Sequence, residues 1–201
     1  MIFSTNNQRL TQQIEFLLEI DKLKSVLRRS YLINGERREN TAEHSWHLTM
    51  LAMVLAEHAN EPVNLLHVLK MVVAHDIVEI DAGDTFLFDT AGAKDKAVRE
   101  QEAADRLYGL LPEDQAKELR ALWDEFEARE TAESRFANAL DRLIPLLINY
   151  AAGGRSWQEH GITDDRIEWI HDRIGEGAMA LSELSRQVIA TAVAEGILPT
   201  K

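Results

Sequence analysis

Apolar residues along this chain recur at steps of three and four. From Arg9 to Arg28, the positions Leu10, Ile14, Leu17, Leu18, Ile20, Leu23, Val26 and Leu27 fall on one stripe, which predicts a first helix. The segment SYLINGERREN breaks the stripe, with Asn34-Gly35 as a turn. Asn40 then reads as an N-cap, with Glu43 three residues on, and the spacing predicts a second helix to about Asn60. Pro62 marks the start of a third. Its Leu65, Leu66, Val68, Leu69, Val72 and Val73 occupy more than one face, the pattern of a central element. Residues 81–93 read as a loop. Further helices are predicted from about Lys94 to Leu111, Glu113 to Arg129 and Ala132 to Ala152, and from Asp164 to Gly196 with a bend near Gly175 or Gly177. No period-two alternation of useful length and no internal repeat interrupts this series. The expectation is an all-α fold of about six to eight helices in one domain over residues 1–201, its core about residues 10–190. Pro145 lies inside a helical run, where it kinks the helix or frees a carbonyl upstream near Asp141.

Composition narrows the function classes. The 201 residues are 45% apolar and 28% charged, ordinary values for a globular protein, and no apolar run approaches a bilayer-spanning length. The opening MIFSTNNQRLTQQ has neither the basic start nor the apolar centre of a leader. With no cysteine there is no disulfide or thiolate chemistry, which fits a cytoplasmic protein and no membrane partner. The net charge of −12 repels phosphate polymers, so no nucleic-acid polymer is expected as a partner. A single small anion is still compatible, provided arginines or a metal ion gather at one pocket.

The chemistry concentrates in MVVAHDIVEIDAGDT, residues 71–85. Four apolar residues lead into His75-Asp76, and Glu79 lies four residues after the histidine and three after the aspartate, on a shared helix face. A lone His-Asp pair reads first as a satisfied core histidine beside a helix-end charge. Two further polar residues change that reading: His44 in the first turn of the second helix, and Asp141 framed by Leu140, Leu143, Ile144 and Leu146. Two nitrogen and two oxygen donors suit a divalent transition ion with open water positions better than calcium or a closed structural zinc. A phosphate also calls for an arginine fork, and Arg28, Arg29, Arg37 and Arg38 precede His44.

The order His44, His75-Asp76, Asp141, with the strings RRENTAEHSWHL and VVAHDIVEIDAGDT, resembles the HD-domain metal-dependent phosphohydrolases, and among them the bacterial 5′-deoxynucleotidase branch. The resemblance implies one divalent ion (cobalt, manganese, magnesium, zinc, nickel or iron) held by His44, His75, Asp76 and Asp141. It implies hydrolysis of a small phosphomonoester, a nucleoside or deoxynucleoside 5′-monophosphate, in a homodimer. By the same resemblance Glu79 orients or deprotonates the attacking water, and Asp84 touches the sugar or assists the leaving oxygen. Arg29 matches the branch's substrate arginine, while Ser30 stands where that branch has tryptophan, with Tyr31 next as a substrate contact. No histidine lies between Asp76 and Asp141, which favours one metal over two. Two alternatives stay open: a hydrolase of a triphosphate or alarmone, and a metal-stabilised helical binding module without turnover. Trp46 reads as core or pocket wall, and His47 as an alternative ligand or a support for one.

Overall fold

The first helix stops sooner than its apolar stripe. In the computed structural model, which describes residues 6–201, α1 (Gln8–Glu19) is capped by the Asn7 side chain, which accepts from the Leu10 N–H. Residues Ile20–Ser25 tighten into a 3₁₀ turn, and Leu27–Tyr31 is a strand, β1. It pairs antiparallel with β2 (Arg38–Asn40), Leu27 opposite Asn40 and Tyr31 opposite Arg38, with an irregularity between. Strands of five and three residues are too short for a period-two pattern to show, and the exposed Leu27 only continued the stripe by coincidence. Gly35 closes the hairpin turn at φ 72°. The leader reading begins in residues 1–5, which lie outside the described residues.

The strand β2 runs directly into α2 (Thr41–Leu55). The expected capping box forms there: Asn40 accepts from the Glu43 N–H, and Glu43 accepts from the Asn40 N–H. The third helix, α3 (Leu65–Ala74), starts three residues after Pro62, on an Asn64 cap. A single turn, α4 (Glu79–Ala82), ends at Gly83 with φ 73°. Then come α5 (Lys96–Tyr108), α6 (Glu113–Ala128), α7 (Ala132–Ala151), the short α8 (Arg155–Glu159), α9 (Asp164–Gly177) and α10 (Met179–Ala194). Eight of these helices run ten residues or longer, in line with the all-α expectation. The bend between α9 and α10 falls at Gly177, where a Cβ would collide with the Arg135 backbone. Asn60 clasps that break, donating to the Gly175 carbonyl at 2.8 Å and accepting from the Met179 N–H at 2.7 Å.

The core is organised around α7. Its Leu140, Leu143 and Ile144 pack with Ile167, Ile170 and Ile174 of α9, with Met71 and Val72 of α3 and with Leu48 of α2. A second cluster joins Phe16 to Ala74, Ile77 and Val78 and to Ala104 and Leu107 of α5. The end of α3 therefore passes from one cluster to the other, which makes it the central element that its apolar faces predict. Burying most of these side chains contributes about 1.5–3 kcal/mol each before entropy is counted. Leu181 and Ile189 join the first core, whereas Leu184 is exposed. No helix among the described residues is long and apolar enough to cross a membrane.

Candidate metal centre

His75 caps the C-terminus of α3, at the junction of the two clusters, and is 3% exposed. Its Nδ1–H donates to the Val72 carbonyl at 2.8 Å, which leaves Nε2 facing the interior. His44, in the first turn of α2, is fully buried and brings Nε2 to 3.0 Å from Asp141 Oδ1. Asp141 enters from the middle of α7, four residues before Pro145, which has no N–H for the Asp141 carbonyl and yet leaves the helix continuous. Asp76 completes the group, Oδ1 lying 3.0 Å from His75 Nε2 and Oδ2 3.8 Å from His44 Nε2.

This set fits a metal ion on its own geometry. His44, His75 and Asp141 each offer a ligand atom, and these atoms all lie within 4.8 Å of one another. His75 Nε2 is buried without a hydrogen-bond partner among the described residues, an arrangement that costs about 1–3 kcal/mol in a core with nothing to bind. Two imidazoles with two carboxylates form a mixed nitrogen and oxygen donor set. The electrostatics agree. Burial alone would hold the His75 ring neutral, but Asp76 and Asp141 more than offset it and carry its pKa up to about 10. Burial likewise opposes charge on Asp76, and His75 and Arg28 overcome it, drawing the carboxyl down to about 2. Burial opposes charge on Asp141 too, and its hydrogen bond to His44 with the nearby His75 ring overcomes it, holding the carboxyl well below its ordinary value. Burial and then the Arg28 charge depress His44. The site thus gathers one positive charge between two carboxylates, the place a cation would take.

Around this centre the chain arranges further charges. Arg28 on β1 reaches Asp76 Oδ2 at 3.2 Å and Asp84 Oδ1 at 3.7 Å, and those carboxylates keep it charged against burial. Glu79 opens α4, and its Oε2 accepts from Thr41 Oγ1 at 2.8 Å. Its own burial, then the charge of Asp76, pushes Glu79 well above the usual carboxylate range. Asp84 is raised too, by burial first, with Arg28 opposing. His75, Asp76, Glu79, Asp84 and Asp141 all line one polar cavity of about 230 Å³. A narrower cavity of about 80 Å³ shares Arg28, Asp84, Asp141 and Arg142 with it, but its far wall is Phe86, Phe88 and Trp157.

The expected site residues divide unevenly. His44, His75, Asp76, Asp141, Glu79 and Asp84 come together. Arg29 is exposed and lines the aromatic cavity and the adjoining one with Asp89 and His160, while its neighbour Arg28 faces the carboxylates. Tyr31 turns away: its hydroxyl donates to Glu159 at 3.0 Å, and its ring lies under Arg155. Trp46 is 66% exposed, neither core nor pocket wall, because the α2 face that carries it has no neighbour among the described elements. His47, three residues after His44, lies outside the ligand group. Sequence reasoning passed over Glu39 and Thr41, which the hairpin and the capped start of α2 bring to the site. The available signal was local: both stand in RRENTAEH, between the arginines and the first histidine.

Comparisons with known proteins point the same way. A family model described as "HD domain" matches residues 20–182. The human 5′-deoxynucleotidase HDDC2 is 32% identical over 135 residues, 67% of this chain and 65% of that protein, so the chain spans just under two thirds of that relative's length. The 5′-deoxynucleotidase YfbR of Escherichia coli O127:H6 is 28% identical over 156 residues, covering 73% of this chain and 78% of YfbR. The crystal structure of a predicted metal-dependent phosphohydrolase from Magnetospirillum magnetotacticum MS-1 superposes with a TM-score of 0.91 at 51% identity, covering 95% of this chain and 96% of that one.

Proposed function

The chain belongs to the HD-domain family, and on that premise we propose that it hydrolyses small phosphomonoesters, nucleoside 5′-monophosphates first among them, with a divalent ion held by His44, His75, Asp76 and Asp141. The observation that carries the reading is the buried His75 Nε2, 3.0 Å from Asp76 Oδ1 without hydrogen-bond geometry, facing two carboxylates beside a cavity that Glu79 and Asp84 also line. Those four residues would hold the ion, which when bound would supply polarisation of the phosphoryl group and a more acidic water. Arg28 offers its guanidinium to the phosphate from the edge of the carboxylate group. Glu79 has one oxygen on Thr41 and the other free to take the proton of the attacking water as the new P–O bond forms. Asp84, raised toward its protonated form, gives a proton to the sugar oxygen as the old P–O bond breaks. Arg29 and the aromatic cavity then meet the nucleoside.

Six carboxylates and four cationic side chains line the polar cavity. A triphosphate or alarmone would bring more negative charge against those carboxylates than a monoester does, so the monoester is the better fit. A cytoplasmic location and a homodimer complete the proposal. The test is phosphate release from a panel of nucleotides, with and without added cobalt or manganese. Metal-dependent release from monophosphates is expected, and silence across the panel in a metal-loaded protein would favour the binding module. In Glu79→Ala, turnover should fall about 10²–10⁴-fold while metal binding persists.

A further inference from the structure

Glu39 is the middle residue of β2, a carboxylate only 3% exposed. The pairing of Leu27 with Asn40 sets Arg28 beside it, and the chain continues from it into the first turn of α2, which holds His44. One oxygen, Oε2, lies 3.7 Å from His44 Nδ1 and 3.8 Å from Arg28 Nε. Both of those nitrogens are buried and have no hydrogen-bond partner among the described residues. Two orphaned nitrogens thus flank a single buried acceptor. Closing either gap to hydrogen-bond length takes a shift of about 0.8 Å.

The two histidines of the centre differ in this respect. The Val72 carbonyl fixes the Nδ1 proton of His75. No carbonyl does so for His44, whose Nε2 is hydrogen-bonded to Asp141. For that Nε2 to give an electron pair to a cation, the ring proton must sit on Nδ1, where among the described residues Glu39 stands to receive it.

We infer that Glu39 is a positioning residue that accepts the Nδ1 proton of His44 and anchors Arg28 through Nε, so that one carboxylate sets both a metal ligand and the phosphate-facing cation. The inference rests on the reading of His44 as a metal ligand. It differs from an ordinary buried ion pair in requiring an acceptor oxygen at Nδ1, which Glu39→Gln keeps and Glu39→Ala removes.

The test uses the full chain loaded with zinc, a diamagnetic probe, with affinity measured by chelator competition and the His44 Nδ1 proton followed by NMR. The unaltered protein should show a downfield, slowly exchanging Nδ1 proton. Glu39→Ala should lose that signal and bind zinc about 10–100-fold more weakly. Glu39→Gln should keep the signal and bind within about threefold of the unaltered protein. Thermal melts confirm that each variant is folded, and if Glu39→Ala is not, loss of the signal in Glu39→Gln alone overturns the inference. Zinc binding with an unchanged Nδ1 signal in Glu39→Ala overturns it while leaving the metal centre standing. No zinc binding by the unaltered protein overturns the metal centre and this inference together.

Discussion

His75 and His171 lie at nearly the same depth, 3% and 2% exposed, each in a helical frame of apolar residues. His171, on α9, has its Nδ1 2.7 Å from Ser185 Oγ, and Ser185 donates in turn to the Ser182 carbonyl. The Ser182 hydroxyl closes the loop on the His171 carbonyl at 2.7 Å. Neutral hydroxyls link that cluster, and burial, then the Arg186 charge, holds the ring below its ordinary pKa. At His75 the surroundings are carboxylates, the inward nitrogen has no hydrogen-bond partner, and the ring is pulled toward charge. Burial alone therefore does not mark a functional histidine. What separates the two is whether the neighbours satisfy the ring or leave it short of a cation.

The largest expected effect of breaking this contrast is catalytic. His75→Ala should remove stoichiometric metal binding and lower turnover on the order of 10³-fold or more, as followed by phosphate release and metal analysis. The same variant should also lose some stability, since Asp76 and Asp141 lose the positive ring between them, so a thermal melt is run beside the activity assay to show that it is folded. His171→Ala should do the reverse: metal binding and turnover persist, and stability drops by about 1–3 kcal/mol in denaturant titrations as Ser185 loses its partner. Full activity in His75→Ala would sink the assignment of the centre.

A thermal melt sharpens the comparison at smaller amplitude. Metal at about 100 times its dissociation constant should stabilise the unaltered protein by about 2.7 kcal/mol, with the same gain in His171→Ala and none in His75→Ala. A smaller effect is a difference in sign. In the metal-free protein the folded pKa of His75 is raised above its ordinary value, so its contribution is complete below 6.5 and is lost as pH rises through about 10. His171 is depressed, so it costs nothing at high pH and subtracts stability as pH falls below 6.5. Replacing each in turn and measuring unfolding from about pH 5 to 9 should give pH slopes of opposite sign relative to the unaltered protein. Equal signs would mean that the carboxylates do not hold the His75 proton.

Both histidines stand directly before an aspartate, His75-Asp76 and His171-Asp172, and the neighbours that the fold brings to each are what distinguish them. The helices were legible because their apolar spacing is long and regular, and the cap at Asn40 because its chemistry is local. His44, Asp76 and Asp141 could be picked out as polar residues in apolar frames whose order resembled a known ligand series. The hairpin could not, since strands of five and three residues carry too little pattern. That loss spread to the site: without β1, nothing decides whether Arg28 or Arg29 faces inward. Without the β1–β2 register, Glu39 is one more charge among many. Trp46 failed for a related reason, because a helix apolar on all sides does not say which side its neighbours cover.

The packing of α7 against α9 has a consequence for the order in which the molecule can be made. All four proposed ligands have been synthesised once residue 141 is joined to the chain, yet the wall behind Asp141 includes Ile167, Ile170 and Ile174. A nascent chain halted between these points holds the complete list of donors with Leu140, Leu143 and Ile144 still lacking those partners. The centre is therefore a late product of synthesis, closed by residues that touch none of its chemistry, and divalent ions in the cell meet the finished site only after α9 has docked.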